Sequence, residues 1–239
     1  MKNLKYFTIV VLLIALSANA SCQFRKTVYG DGDVVKKERK TENFTGVKVS
    51  TGIDVYLSQG NNMSITVQAD ENLHEYINTE VRNDVLYVFT DANIRRAEMK
   101  RVYVTMKNIK YLSTSSAGDI IGETPVRTDD LILNVSSAGD IKLEVFAHNV
   151  EIDISSSGDV TLSGEADSLE GDLSSAGDLN AYNFIVREAE LRVSSAGDAD
   201  IYVTERLNAK ASSAGDINYK GNPKYVDARS SSAGGIHSR

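Results

Sequence analysis

The sequence predicts an all-β fold, a single parallel β-helix (solenoid) whose stacked coils contain about 19–20 residues each. The phrase SSAGD, or a close variant, recurs at nearly even spacing through the second half of the chain. Apolar and polar residues alternate strictly between the copies, which predicts two short strands per coil, each with one buried face. No i, i+3, i+4 apolar stripe lies inside a repeat, so a repeat that contains a helix is disfavoured.

Residues 1–20 are predicted to be an export signal rather than part of the fold. Lys2 and Lys5 precede an apolar run at Tyr6–Leu16, and an Ala-x-Ala pattern then ends at Ala20. The run is too short to span a membrane, which takes about 20 apolar residues. We therefore expect the mature chain to be exported, to the periplasm or to the outer membrane and cell surface.

Cys22 leaves the type of signal open. It is the only cysteine, which excludes an intramolecular disulfide and a multi-cysteine metal site. A lipoprotein signal would cover residues 1–21 and make Cys22 the lipid-accepting residue, and Ser21 fits that pattern. Asn19, however, stands where a Leu-like residue is usual, and simple cleavage after Ala20 would leave a free thiol. Contact with a membrane is expected only through such a lipid anchor.

The first half of the folded chain is less regular than the second. Residues 21–42 are predicted to be a polar N-terminal spacer or edge segment, and residues 43–235 the β-helix domain. Alternation within the domain predicts strands at 44–57, 64–68, 81–89 and 101–106. Asp70–Ile77 predicts a short helical segment with Asp70 or Asn72 as its N-cap.

The SSAGD copies are predicted to form equivalent corners of successive coils. Their glycines are spaced by 18 to 21 residues: Gly118, Gly139, Gly158, Gly177, Gly197, Gly215 and Gly234. We expect each glycine to adopt a positive φ at the turn, and the alanine to fit where coils meet closely. The serine hydroxyls are expected to hydrogen-bond along the stack. A weaker copy, VSTGIDVYL at residues 49–57, predicts that the repeat begins earlier.

Six aspartates follow these glycines: Asp119, Asp140, Asp159, Asp178, Asp198 and Asp216. A structural ladder is predicted, because an aspartate can accept hydrogen bonds from turn amides. Ca²⁺ bridging of the stacked carboxylates is the alternative. It is disfavoured because SSAGD lacks the second glycine of the calcium-binding β-roll and has twice its period, and because solvent screens exposed charges. No metal and no cofactor are predicted.

Four segments carry a family resemblance: FTGVKVSTGIDVYLSQG at 44–60, ADENLHEYINTEVRNDVLYVF at 69–89, the SSAGD copies, and GDINYKGNPKYV at 215–226. In this order they resemble the head GIN domain family, the exported auto-transporter adhesins of Bacteroidetes, and Gly215, Ile217 and Asn218 supply the G-I-N element. The resemblance spans residues 43–235. It implies a β-helix, export and often a lipoprotein cysteine, and it brings no catalytic residue and no cofactor.

The predicted function is that of an exported, adhesin-like envelope protein that binds a glycan or protein ligand without catalysis. The net charge of 26 − 33 = −7 disfavours nucleic acid as a partner. His74, His148 and His237 lie in no partner motif, which disfavours the alternative of a polysaccharide-active β-helix enzyme. A purely structural or signalling envelope protein is the other alternative. The candidate contact aromatics are Tyr56, Tyr87, Tyr103, Tyr182, Tyr202 and Tyr219.

Overall fold

A computed structural model describes residues 25–239 and confirms the all-β class. The predicted signal peptide and Cys22 lie outside the described residues. The first strands are β1 (Thr27–Tyr29), β2 (Val34–Arg39), β3 (Gly46–Val49), β4 (Asp54–Gln59), β5 (Ser64–Asp70), β6 (Ile77–Arg82), β7 (Val85–Thr90), β8 (Asn93–Arg96) and β9 (Lys100–Met106). The strands of the regular column are β10 (Tyr111–Thr114), β11 (Asp119–Gly122), β12 (Val126–Val135), β13 (Asp140–Ile154), β14 (Asp159–Leu173), β15 (Asp178–Val193), β16 (Asp198–Ala211), β17 (Asp216–Lys220), β18 (Tyr225–Ser230) and β19 (Gly235–Ser238).

The regular column is a parallel stack in which each coil lies one repeat above the previous one. Asp140 of β13 pairs with Asp159 of β14, which pairs with Asp178 of β15, so the predicted corners are equivalent. Alternate residues of β13, such as Ile141 and Ile152, point inward and are at most 3% exposed. The prediction of two short strands per coil was wrong in the middle coils. There the pairing continues around a bend, and one strand of 14 to 16 residues spans both segments.

The SSAGD corner differs from the prediction in which residue occupies the left-handed region. The second and third residues of each copy have positive φ, for example Ser137 at 54° and Ala138 at 58°, whereas the glycines do not. Gly139 donates its amide hydrogen to the carbonyl of Ser136 at 3.2 Å. A hydrogen bond from the fourth residue to the first, with both central φ values positive, is a type I′ turn.

Glycine is needed at this corner because the coils meet there. Gly139 and its counterparts in the middle of the column are buried, whereas the alanines of the turns are exposed. A Cβ on Gly139 would lie 2.9 Å from the carbonyl oxygen of Gly118, and one on Gly197 would lie 2.9 Å from that of Gly177. The stacking hydrogen bonds run through the backbone rather than through the predicted serine hydroxyls. Ala138, for example, donates to the carbonyl of Ser156 at 3.1 Å.

The first half of the domain joins this column directly. β4 pairs with β11, and Asp54 lies opposite Asp119, which confirms that the weaker copy at residues 49–57 is a coil. Within the predicted spacer or edge segment, β1 pairs with β8, and β2 pairs antiparallel with β5 as an edge strand. The predicted strand at 81–89 is instead the β6–β7 hairpin, which turns at Asn83 and Asp84 with positive φ. The predicted strand at 44–57 is divided into β3 and β4.

The helix predicted at 70–77 is reduced to one 3₁₀ turn at Glu71–Leu73. Asp70 does not cap it, because its buried carboxylate accepts hydrogen bonds from the amides of Gly32, Glu98 and Met99 at 3.0 to 3.2 Å. Burial raises the pKa of Asp70, but the hydrogen bonds from these three amides and from its own backbone amide outweigh burial, and the pKa is lowered. No helix among residues 25–239 is long and apolar enough to cross a membrane.

Candidate ligand-binding groove

The second turn of each coil is a bend inside the long strand. In β13 the alternation of buried and exposed residues breaks at Phe146–Asn149, where two half-buried residues are followed by two exposed ones. The inward phase resumes at Val150, which is 2% exposed. Because two successive side chains leave the core there, the strand changes direction and turns those side chains outward. β14 bends in the same way at residues 165–168, one repeat later.

A surface groove of about 340 Å³ lies along the bends of these coils. Its apolar part comes from Phe146 and Ile185, and 42% of Ile185 is exposed. The guanidinium of Arg127, on the preceding coil, lies 4.3 Å from the centre of the Phe146 ring. The groove is lined by Thr128, Phe146, Ala147, His148, Glu165, Ala166, Asp167, Ile185 and Arg187.

A row of alternating charges runs along this groove from coil to coil. His148 Nδ1 lies 2.7 Å from Asp167 Oδ2, and Arg187 reaches the other oxygen of the same carboxylate at 3.4 Å. Arg187 also donates to both carboxylate oxygens of Glu205, at 3.3 and 3.4 Å. Opposite charges therefore adjoin one another along the row, and its members remain open to solvent.

The hydrogen bond and the charge of Asp167 raise the pKa of His148 above its ordinary value. In return, the pKa of Asp167 is lowered, first by His148 and further by Arg187. The sequence left His148 without a partner, and the structure corrects that. His74 is different, because it is buried against the Val35 carbonyl, and burial lowers its pKa.

The predicted aspartate ladder lies at the other corner and does not line this groove. Asp119 and Asp178 accept hydrogen bonds from the amides of Asp140 and Asp198, at 3.1 and 3.2 Å. Partial burial raises the pKa of Asp119, Asp159, Asp178 and Asp198, and neighbouring carboxylates add to the rise. Among residues 25–239, no group of three or more histidine, cysteine, aspartate or glutamate side chains is arranged to hold a metal.

Most of the predicted contact tyrosines lie away from the groove, but Tyr202 pairs with the groove residue Ile185 in the next coil. Tyr56 and Tyr103 stack with ring centres 5.3 Å apart, and Arg101 lies 5.2 Å from the Tyr56 ring. Tyr87 is in contact with Arg82. Near the other end of the column, Lys220 lies 4.0 Å from the ring of Tyr182. These four aromatics divide between the two ends of the column, and Tyr202 alone of the six predicted tyrosines is placed beside a groove residue by the strand pairing.

The comparison with protein families decides the identity of the fold. The family described as "Putative auto-transporter adhesin, head GIN domain" matches residues 43–223. The chain belongs to the head GIN domain family. No curated protein matches it.

Several solved structures have the same fold as this chain. A "putative adhesin" from Bacteroides fragilis is 20% identical, with a TM-score of 0.81, and the alignment covers 89% of this chain and 100% of that one. A "putative adhesin" from Parabacteroides merdae is 25% identical, with a TM-score of 0.73 and coverage of 90% and 99%. A protein from Parabacteroides distasonis described as a "putative lipid binding protein" is 22% identical, with a TM-score of 0.75 and coverage of 90% and 100%.

The groove of this head GIN domain was missed at the sequence level. The repeated SSAGD phrase drew attention to the corner that every coil shares, whereas Phe146, Asp167 and Arg187 occur once each between copies. The signal that could have located them is the break in alternation, since a pair of outward residues appears at the same offset in successive coils. The charge row could not be seen without the register, which places residues 19 or 20 positions apart side by side.

Proposed function

We propose that this head GIN domain is an exported, adhesin-like module that binds an envelope or surface ligand without catalysis, and that the groove at the bends is its ligand site. One observation carries the proposal. Along the groove, outward side chains of several chemical types replace the uniform aspartates of the SSAGD corner. Membership of a family described as adhesins supports a binding role.

A carbohydrate is the ligand class that the groove supports best. Phe146 and the exposed Ile185 offer an apolar floor for the C–H faces of sugar rings, and Glu165, which lies between them in the same row, adds a carboxylate acceptor. His148, Asp167 and Arg187 offer donors and acceptors at the rim, and they already hold one another in position. Few polar groups over an apolar surface are typical of small-ligand sites. A protein ligand is the competing outcome.

The test compares the same chemical change at the two turns of a coil. Binding to a glycan array is measured for the wild type, for Asp167→Asn in the groove and for Asp159→Asn at the SSAGD corner. We expect Asp167→Asn and Phe146→Ala each to weaken binding at least about tenfold, because a polar anchor or the apolar floor is lost. Asp159→Asn should bind as the wild type does. Equal loss in both asparagine variants, or no glycan bound by the wild type, would refute the assignment.

The His148–Asp167 contact also favours one alternative, a polysaccharide-active enzyme. A histidine held by a carboxylate is a general acid–base candidate. Incubating each bound glycan with the wild type and with His148→Asn, followed by mass spectrometry of the glycan, separates the two functions. An unchanged glycan mass supports binding alone, whereas a product that disappears with His148→Asn establishes catalysis.

A further inference from the structure

Within residues 25–239, β18 is the last strand on one side of the column and pairs only with β16. All six residues of this strand are exposed. Val226 and Ala228 nevertheless belong to the inward rows, because they pair with Leu207 and Ala209, which are at most 1% exposed. Val226 is 45% exposed because, within residues 25–239, the only residue pairing of β18 is with β16. The strand therefore presents both an apolar face and a free backbone edge.

The opposite end of the domain is built differently. There β5 and the 3₁₀ turn cover the column, and Ile65, Val67 and Leu73 are at most 1% exposed. An exposed strand edge is a template for pairing with another chain, and native proteins commonly cover or block such edges. Among the described residues, β2 is an edge strand at that end, but the apolar row of β5 beside it is buried, whereas the apolar row of β18 is itself exposed.

The free edge carries unused backbone donors and acceptors. The amide of Ser231 donates to the carbonyl of Ala211 in the coil below, at 3.0 Å. Backbone N–H groups alternate in direction along a strand. The amides of Val226, Ala228 and Ser230 therefore point away from the column, toward the free edge. A strand placed there would continue the sheet without breaking any hydrogen bond inside the column.

The side chains of β18 identify the strand that fits. Asp227 and Arg229 flank Ala228 on the outer face, and in the single chain they contact each other at 2.9 Å. In an antiparallel pair centred on Ala228, Asp227 of one copy lies opposite Arg229 of the other, and the reverse pair forms by symmetry. Val226 lies opposite Ser230 on the inward face. The charge pattern of this edge is thus complementary to itself.

We propose that the chain forms an end-to-end dimer in which β18 pairs antiparallel with β18 of a second copy, centred on Ala228. A two-fold axis normal to the sheet relates the copies, so each copy covers the other's edge and the assembly closes at two. The outward amide and carbonyl of Ala228 exchange hydrogen bonds with those of its counterpart, as in an antiparallel hydrogen-bonded pair. The apolar interior then continues from one column into the other.

Sedimentation velocity over a range of concentrations tests the dimer. We expect a monomer–dimer equilibrium in the wild type with a Kd of about 1–100 μM, as suits a small interface. Ala228→Pro removes the outward amide and leaves the bonds to β16 in place, since proline is tolerated at strand edges. It should raise the Kd at least about tenfold with an unchanged circular dichroism spectrum.

A charge-swap series tests the register and does not depend on the proline. Arg229→Asp places aspartates opposite one another and should raise the Kd at least about tenfold. The double variant Asp227→Arg/Arg229→Asp recreates both opposite pairs, and also the pair within each chain, so it should restore the wild-type Kd within about threefold. A wild type that stays monomeric at about 500 μM would overturn the proposal, as would a dimer that tolerates Arg229→Asp.

Discussion

Each coil turns twice, at SSAGD and at the bend within its long strand, and the two turns obey different constraints. At SSAGD the backbones of neighbouring coils meet, and a Cβ on Gly139 would lie 2.9 Å from the carbonyl oxygen of Gly118. At the bend, side chains such as His148 and Asp167 stand in solvent. Steric crowding therefore requires the same residues at every corner, whereas the bend accepts a different side chain in each coil.

The comparison shows where a solenoid can carry recognition. A position that repeats for steric reasons offers the same group to every coil, and stacked aspartates such as Asp140 and Asp159 result. A position free of that constraint can bring unlike groups together, as in the contacts of Asp167 with His148 and Arg187. Specific recognition needs such unlike groups converging on one place.

The largest expected effect is steric and belongs to the SSAGD corner. Gly158→Val should lower the free energy of unfolding by about 1–3 kcal/mol, because overpacking forces neighbouring groups apart. Its Cβ would lie 2.6 Å from Val135 Cγ1 and 3.2 Å from the Val135 carbonyl carbon. Ala147→Val at the half-buried bend is the matched control, with an expected loss below about 0.5 kcal/mol. If urea denaturation gave equal losses of unfolding free energy for Gly158→Val and Ala147→Val, the contrast between the two turns would be wrong.

The second effect has the opposite sign at the same corner. Ser157 has a φ of 58°, which costs a non-glycine residue free energy. Ser157→Gly removes the steric cost in the folded state but also makes the unfolded chain more flexible, which offsets part of that gain. The free energy of unfolding should therefore be unchanged or higher by up to about 1 kcal/mol. A loss above about 1 kcal/mol in the same measurement would show that the serine side chain stabilises the turn.

The third prediction is a difference in pH dependence between the two turns. The pKa of Asp159 is raised in the folded state, so its charge destabilises the fold above that pKa and this penalty disappears as pH falls toward its ordinary value. The pKa of Asp167 is lowered, so its charge stabilises the fold above its ordinary pKa, and that contribution is lost as pH falls through the lowered value.

Thermal unfolding of two variants between about pH 3 and 7 measures that difference. This range is chosen because the ordinary pKa of a carboxyl side chain is about 4. Asp159→Asn should be equal to or slightly more stable than the wild type at neutral pH, and the gap should close in acid. Asp167→Asn should be slightly less stable at neutral pH, with the gap again closing in acid. If the two turns were electrostatically alike, both variants would change the melting temperature in the same direction at pH 7.

The smallest expected effect is local to one side chain. NMR titration of His148 in the wild type should give a pKa above 6.5, because Asp167 accepts a hydrogen bond from the imidazolium and carries the opposite charge. Asp167→Asn should lower that pKa toward the ordinary value, while His74 keeps its own. The raised pKa means that protonated His148 stabilises the folded state at low pH. This stabilisation is lost as the pH rises through the raised pKa. If the pKa of His148 were the same in Asp167→Asn as in the wild type, Asp167 would not be the cause of the raised pKa.

Much of the fold, and little of the groove, could be predicted from the sequence. Period and alternation depend on neighbours along the chain, so the coils, their buried rows and the early copy at residues 49–57 were all predicted correctly. Asp70 was predicted as a helix cap, yet it binds amides of Gly32, Glu98 and Met99, which are 28 or more residues away. Such long-range partners leave no mark on the local pattern.

The sequence by itself determined that the chain is a β-helix, that each coil turns at SSAGD, and which side chains face inward, because repetition and period-2 patterning are read directly along the chain. Only the tertiary structure decided which residue of SSAGD bears the positive φ, since that depends on how closely Gly139 approaches the coil below. The register likewise decided that His148, Asp167 and Arg187 meet, because stacking turns a distance of about one repeat along the chain into direct contact.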